Sequence, residues 1–269
     1  MCKRFVLLLI LCLLLPASPA LAEANPARLA RTGEAYATLE EAVAAAQDGD
    51  TIELTQDVRL TRGSLIVSKS VTLLSRGAHT IRRAFGGNQP MIRIDGSAAL
   101  TLSASDGALT LDGGGYAGGR NSVVSIEAGG ALSLCPGVTL TGGRATCGGG
   151  VYVKSGSVNM TGGAIHGNSA SSGGGIYCES GTVTITGGEI SGNSATFDGG
   201  GLMNERGSAL LSGIKITGNS AGGRGGGVMN RMRLTLTGGE ISGNTGTSGG
   251  GAFNNGAFEM TGGEISGNA

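Results

Sequence analysis

Over most of the chain, apolar residues alternate with small or polar ones. This period of two is what an extended strand shows to a core on one side. Within 181–193, Val183 and Ile185 fall on one face and Thr184 on the other. The pattern then repeats itself. TGGAIHGN ends at Asn168, TGGEISGN at Asn193, SGIKITGN at Asn219, and TGGEISGN again at Asn244 and Asn268, at spacings of 25, 26, 25 and 24. A second marker, GGG, ends at Gly150, Gly175, Gly201, Gly227 and Gly251, with spacings of 25, 26, 26 and 24. Two markers sharing one period define a solenoid with one structural unit per repeat.

Equivalent positions line up as columns. Met160, Ile185, Leu211, Leu236 and Met260 make one; Ile165, Ile190, Ile216, Ile241 and Ile265 make a second; Val151, Ile176, Leu202, Val228 and Ala252 make a third. Three short strands per unit predict three sheets, each built by stacking successive coils in parallel. The predicted class is all-β, a single right-handed parallel β-helix. A helical repeat would need stripes at helical spacing and few glycines, and neither is present. The stacked Asn168, Asn193, Asn219, Asn244 and Asn268 suit an amide ladder, and Asn204, Asn230 and Asn254 suggest a second.

The amino-terminal part reads differently. Residues 1–22 have the form of a secretory signal peptide. Lys3 and Arg4 precede an apolar run from Phe5 to Leu15, and Ala20-Leu21-Ala22 gives the cleavage site. That run is about eleven residues, where roughly 20 are needed to span a bilayer, so no transmembrane segment is expected. Within 23–50, Thr38-Leu39-Glu40-Glu41 fits a capping box, and Leu39, Ala42, Val43 and Ala46 form an apolar stripe. A short helix over about 38–47 is predicted to plug the open end of the solenoid. Degenerate coils follow over 51–137, and regular Gly-rich coils over 138–269. That makes roughly eight coils and, at about 4.8 Å each, a rod of roughly 40 Å. The sequence stops inside a coil at Ala269, so a longer protein is expected.

Composition narrows the picture further. Glycine accounts for 54 of 269 residues, without a collagen period. Trp is absent and aromatics are 3%, which excludes a core of large rings and a Trp-lined sugar cleft. Basic and acidic residues balance at 19 each, and loss of Lys3 and Arg4 with a leader tilts the balance towards acid. No nucleic-acid partner is expected from such a chain. Beyond the leader, Cys135, Cys147 and Cys178 remain, an odd number without CxxC spacing. No metal site or cofactor is predicted.

These columns resemble the right-handed parallel β-helix of the pectin-lyase-like superfamily over 38–269. Over about 138–269, the string Ile-Ser-Gly-Asn-Ser-Ala…Gly-Gly-Gly (190–201) also resembles the repeat of polymorphic outer-membrane proteins of the chlamydial type. That family pairs Phe-x-x-Asn with Gly-Gly-Ala-Ile. Here Ile190 stands where Phe is usual, and Gly173-Gly174-Gly175-Ile176 replaces the second motif. The superfamily resemblance implies either an adhesin-like surface protein or a polysaccharide lyase or hydrolase, and the enzymes would need clustered carboxylates.

The sequence offers no such cluster. Asp48, Asp50 and Asp57 lie near the cap, and Asp95, Asp106, Asp112 and Asp198 come singly. The column Ala164, Glu189, Lys215, Glu240, Glu264 reads as a charge-alternating outer ladder, so no catalytic residue is assigned. The candidate binding residues are Tyr152, Tyr177, Met203, Met229 and Phe253. Each follows an inward apolar residue, and alternation places all five outside as an exposed stripe. The expected function is that of an exported, non-enzymatic, adhesin-like stalk or binding region at a bacterial cell surface. Its partners would be a surface protein or glycan of a host or neighbouring cell, or a second copy of itself. The alternative is a carbohydrate-active enzyme with its site in the irregular coils. Carboxylates on adjacent coils of one sheet would favour the enzyme, and a groove-free rod the structural role.

Overall fold

The computed structural model describes residues 25–269; the leader expected over 1–22 lies outside them. The described chain winds into one right-handed parallel β-solenoid of about eight turns with a single short helix. The first sheet contributes two strands to most coils. One set runs from Asp50–Leu54 through Val71–Ser75 and Gly156–Met160 to Ser208–Leu211, and the other from Val58–Leu60 through Ala164–His166 to Ile214–Thr217. Both sets end in the long strands Arg233–Ser242 and Ala257–Ser266. A second sheet stacks eight three-residue strands, from Leu65–Val67 to Ala252–Asn254. From Arg144–Cys147 onward a short extra strand per coil adds a third, five-stranded sheet.

The register matches the columns read from the sequence. Ile165 pairs with Ile190, Ile190 with Ile216, Ile216 with Ile241 and Ile241 with Ile265. The four inner members, Ile165 to Ile241, are completely buried. On the last coil Met260, the end of its own column, is 45% exposed. Burying one such side chain is worth about 1.5–3 kcal/mol relative to leaving it in water, so the stack of columns is the core.

The asparagine ladder satisfies itself. Asn193 Nδ2 donates to Asn219 Oδ1 at 3.0 Å and to the Ile165 carbonyl at 2.8 Å. Its own Oδ1 accepts from the Asn168 backbone N–H at 3.0 Å and from Asn168 Nδ2 at 3.1 Å. Every polar atom of a buried amide is thus paired by the coils on either side, as burial requires. The last glycine of each GGG leaves room for this. A Cβ on Gly201 would sit 2.6 Å from the Gly227 carbonyl oxygen and 3.2 Å from the Asn219 amide. The second ladder, Asn204 to Asn230 to Asn254, is also made, with links of 2.7 Å. It begins at Cys178, which occupies the Asn position one coil earlier and leaves Asn204 Oδ1 without a partner.

The cap is more elaborate than the sequence suggested. Helix α1 spans Leu39–Ala45, and the Thr38 hydroxyl accepts from the Glu41 N–H at 3.1 Å. Leu39, Ala42, Val43 and Ala46 face the core. Two strands that alternation did not reveal, Ala27–Leu29 and Ala35–Tyr36, form a hairpin that pairs antiparallel with Asp50–Leu54. The first coil's edge is therefore covered. Ion pairs fix this hairpin: Arg31 holds Asp50 at 2.8 Å, and Glu53 is gripped by both Arg28 and Arg76. No helix among the described residues is long and apolar enough to cross a membrane.

Candidate binding groove

The five candidate residues do form a register column. Tyr152 pairs with Tyr177, Tyr177 with Met203, Met203 with Met229, and Met229 with Phe253. The expectation that all five are exposed is corrected. Met203 is 2% exposed and Met229 fully buried, whereas Tyr152, Tyr177 and Phe253 are half-buried. The GGG turn that precedes each of these strands lies close against this face. A Cβ on Gly199 would lie 2.8 Å from Met203 Cβ. The stripe thus lines a concave corner between the second and third sheets.

Charged side chains close the rim of that corner. Arg231 bridges Glu205 at 2.9 Å and Asp198 at 3.2 Å, and Arg206 reaches Glu179 at 2.7 Å. The guanidinium of Arg224 lies 5.1 Å from the centre of the Phe253 ring. The Tyr152 and Tyr177 rings sit 5.9 Å apart, and the Tyr152 hydroxyl donates to Glu179. Burial, reinforced by these carboxylates, raises both phenols, Tyr177 to about 12. They are therefore neutral hydrogen-bonding groups at any ordinary pH. Burial also raises the thiols of Cys147 and Cys178, the latter to about 11, so neither is a ready nucleophile. Among the described residues no three His, Cys, Asp or Glu side chains gather to hold a metal ion.

The same column continues towards the amino terminus, where the reading of the sequence did not follow it. Tyr152 pairs with Ser125, Ser125 with Arg93, and Arg93 with Ile66. Here the corner opens into a cavity of about 660 Å3, within the ~300–1,000 Å3 typical of small-ligand sites. Arg93, Ser125 and Tyr152 line it in one register row, Asp95, Glu127 and Lys154 line it two residues further along the chain, and Asn88, Gln89 and Arg120 line it from the loops. Asp95 is held by Arg93 in a two-pronged pair at 2.8 and 2.7 Å. Glu127 accepts from the Ser125 hydroxyl at 3.0 Å and pairs with Lys154 at 3.2 Å. Asp95 and Glu127 follow the paired residues Ile94 and Ile126, so they sit on adjacent coils of one sheet.

Two loops build the cavity wall, and one buried cation ties them. Arg83 is 1% exposed. Its Nε donates to the Phe85 carbonyl at 3.1 Å, and its Nη2 to Gly87 O at 2.9 Å and Asn121 Oδ1 at 3.2 Å. Phe85 and Tyr116 flank the guanidinium with their rings at 4.4 and 5.4 Å. Desolvation lowers its pKa, but an arginine keeps its charge. Asn121 completes the tie by accepting from Gln89 N–H at 3.1 Å and donating to the Tyr116 carbonyl at 2.9 Å. Asn88 Oδ1 in turn accepts from the Arg120 N–H at 2.6 Å. The sequence signal that marks this site is a broken period: Ile92 and Val124 are register partners 32 residues apart, against 24 to 26 in the later coils.

No family model matches the chain, and none of the curated proteins or solved structures compared with it gives a match.

Proposed function

We propose that this chain is an exported, non-enzymatic binding solenoid, an adhesin-like element of a bacterial cell surface that recognises a partner along the flank of its second sheet. The observation that carries this reading is the groove over coils 88–154, a concave polar surface with its walls already tied in place. Pre-formed walls reduce the ordering cost of binding. The coils after the groove form a regular stack whose Asn168–Asn268 ladder is paired internally, which suits a spacer.

An enzymatic reading has one observation in its favour, the carboxylates of Asp95 and Glu127 on adjacent coils beside the cavity. General acid–base chemistry needs one carboxyl to carry a proton and the other to be free to take one. Here each is engaged in its own ion pair, Asp95 with Arg93 and Glu127 with Lys154, and the two are not arranged as one pair around a bond to be cut. Binding is therefore the better reading. The test is to present the purified chain to intact bacterial and host-type cell surfaces and to soluble polysaccharides, measuring retention and chain cleavage together. Retention without cleavage is the expected result. Turnover that disappears in Glu127→Gln would transfer the chain to the enzymes.

A further inference from the structure

We propose that the groove over coils 88–154 binds an uncharged oligosaccharide. The assignment rests on the binding role proposed above and adds the site and the chemistry of its ligand.

The first argument is charge. Five charged side chains line the groove, and four of them cancel in pairs, Arg93 with Asp95 and Lys154 with Glu127. An anionic ligand would have to displace Asp95 or Glu127 from its cation, and a cationic ligand would have to displace Arg93 or Lys154. Both pairs are partly exposed, so they present a ligand with balanced charge and no strong field of one sign. Arg120 alone among these five forms no ion pair, and it is exposed at the rim, where a charge is screened by solvent.

The second argument is the hydrogen-bonding inventory. A sugar hydroxyl both donates and accepts, so it needs donors and acceptors side by side in fixed positions. The pairs supply this alternation and hold each other still. Arg93 retains donors beyond the two it gives Asp95, and Lys154 retains ammonium protons. The carboxylates of Asp95 and Glu127 retain lone pairs. Asn88 keeps its amide N–H2 while its oxygen is fixed on the Arg120 backbone. Charge-assisted hydrogen bonds of this kind are roughly twice as strong as neutral ones, and the ligand need carry no charge to make them.

The third argument is shape. The Tyr152 ring is half-buried, anchored through its hydroxyl on Glu179 and packed on Tyr177. Tyr152 also lines the cavity and brings an aromatic side chain beside the ion pairs. A pyranose offers the complementary surfaces, one C–H face and an edge of hydroxyls. An extended peptide would instead seek a free sheet edge, and the strands that carry this row are paired on both sides.

The experiment is calorimetric titration of the purified full chain with uncharged gluco-, manno-, xylo- and N-acetylglucosamine oligosaccharides of several units. Polygalacturonate, heparin fragments and chitosan oligomers serve as charged comparisons. Saturable binding of an uncharged member is expected, little altered by added salt. Tyr152→Ala and Glu127→Gln should each weaken it at least tenfold, and Lys215→Ala, on another face, should leave it unchanged. Glu127→Gln is nearly isosteric, so it keeps the test open if Tyr152→Ala does not fold. The proposal is overturned if no uncharged member binds, if only a charged polymer binds in a salt-sensitive manner, or if both groove variants bind like the parent. Cell-surface retention is measured in the same samples. Retention by a parent chain that ignores every saccharide would remove the groove's assignment and leave the binding role. Loss of retention in the parent itself would remove that role.

Discussion

The carboxyl-terminal coils and the coils from Leu65 to Tyr152 share a fold but satisfy their buried polar groups in different ways. In the former, successive register partners are 24 to 26 residues apart and each coil copies its neighbour. Buried amides such as Asn193 and Asn219 are paired by the coils above and below. In the latter, the spacing reaches 32 residues, and the extra chain forms the loops that meet at Arg83 and Asn121. There the partners come from loop carbonyls and across loops. Repetition yields a continuous core and a smooth flank; its interruption yields the cavity. A solenoid's stability and its recognition surface can thus be placed in different coils.

The largest effect expected from breaking this division lies in the regular core. Ile216 is fully buried between Ile190 and Ile241. Ile216→Ala should cost about 2–5 kcal/mol in chemical denaturation, the spread reflecting how far the coils close over the gap. A loss below about 0.5 kcal/mol, the range of ordinary surface changes, would mean that the column does not hold the rod together.

Two buried asparagines then compare the regions directly. Asn219→Ala strips partners from the Asn193 backbone N–H, the Ile190 carbonyl and the side chains of Asn193 and Asn244. These groups stay buried, so about 2–4 kcal/mol of global stability should go. Asn121→Ala frees the Gln89 N–H and the Tyr116 carbonyl, both in exposed loops where water can replace the amide, and takes one partner from the buried Arg83 guanidinium, which keeps the Phe85 and Gly87 carbonyls. Its global cost should be about 1.5 kcal/mol, the low end for one hydrogen bond to a charged group, and so below that of Asn219→Ala. Hydrogen exchange should instead quicken over 85–91 and 113–120. Equal global losses for the two variants would erase the distinction between stack-paired and loop-paired amides.

How far the sequence reached follows the same division. The columns through Ile216 and the Asn168–Asn268 ladder were legible because period and chemistry coincide: an inward aliphatic or an amide recurs at the pitch of one coil. The groove was not legible, because its walls depend on loops with no repeat to align them. Arg93 and Ser125 share a column with Tyr152 only once the register across the 32-residue step is known. Nor was the burial of Met203 and Met229. Alternation says on which side of a strand a residue lies, not what lies close against that side. The hairpin at Ala27–Leu29 and Ala35–Tyr36 escaped for a further reason: its strands are too short to display a period.

The capping end supplies a pH-dependent contrast. Hydrogen bonds from Arg31 and the Gln47 N–H hold Asp50 below the usual carboxylate range, and hydrogen bonds from Arg28 and Arg76 do the same for Glu53. A carboxyl depressed in the fold stabilises it above its unfolded pKa of about 4 and loses that contribution as pH falls towards the folded value. The ladder of the regular coils contains amides only and does not titrate. Acidification below about pH 4 should therefore loosen the Ala27–Tyr36 hairpin first, seen as pepsin cleavage within 25–50 while 138–269 stays protected. Cleavage that begins in the regular coils would contradict this order.

The smallest effect is expected on the outer face of the regular coils, where Glu189, Lys215 and Glu240 stand in register on successive coils. Lys215 is exposed and, among the described residues, makes no ion pair within 4.0 Å. Its attraction to the two carboxylates acts through water, so Lys215→Ala should change stability by no more than about 0.5 kcal/mol. The charge reversal Lys215→Glu is more informative. It places three carboxylates, and Glu264 beyond them, in one column at strand spacing. Like charges directly opposed across strands cost about 0.2–1 kcal/mol. That cost is electrostatic and solvent-exposed, so it should be measurable at about 10 mM salt, where the Debye length is about 30 Å, and largely vanish near 1 M, where it is about 3 Å. Denaturation midpoints of parent and variant that converge with salt would show that this face contributes charge alone. A gap that persists at high salt would mean that the Lys215 stem packs on the rod, and that the outer flank of the regular coils is less interchangeable than its repeats suggest.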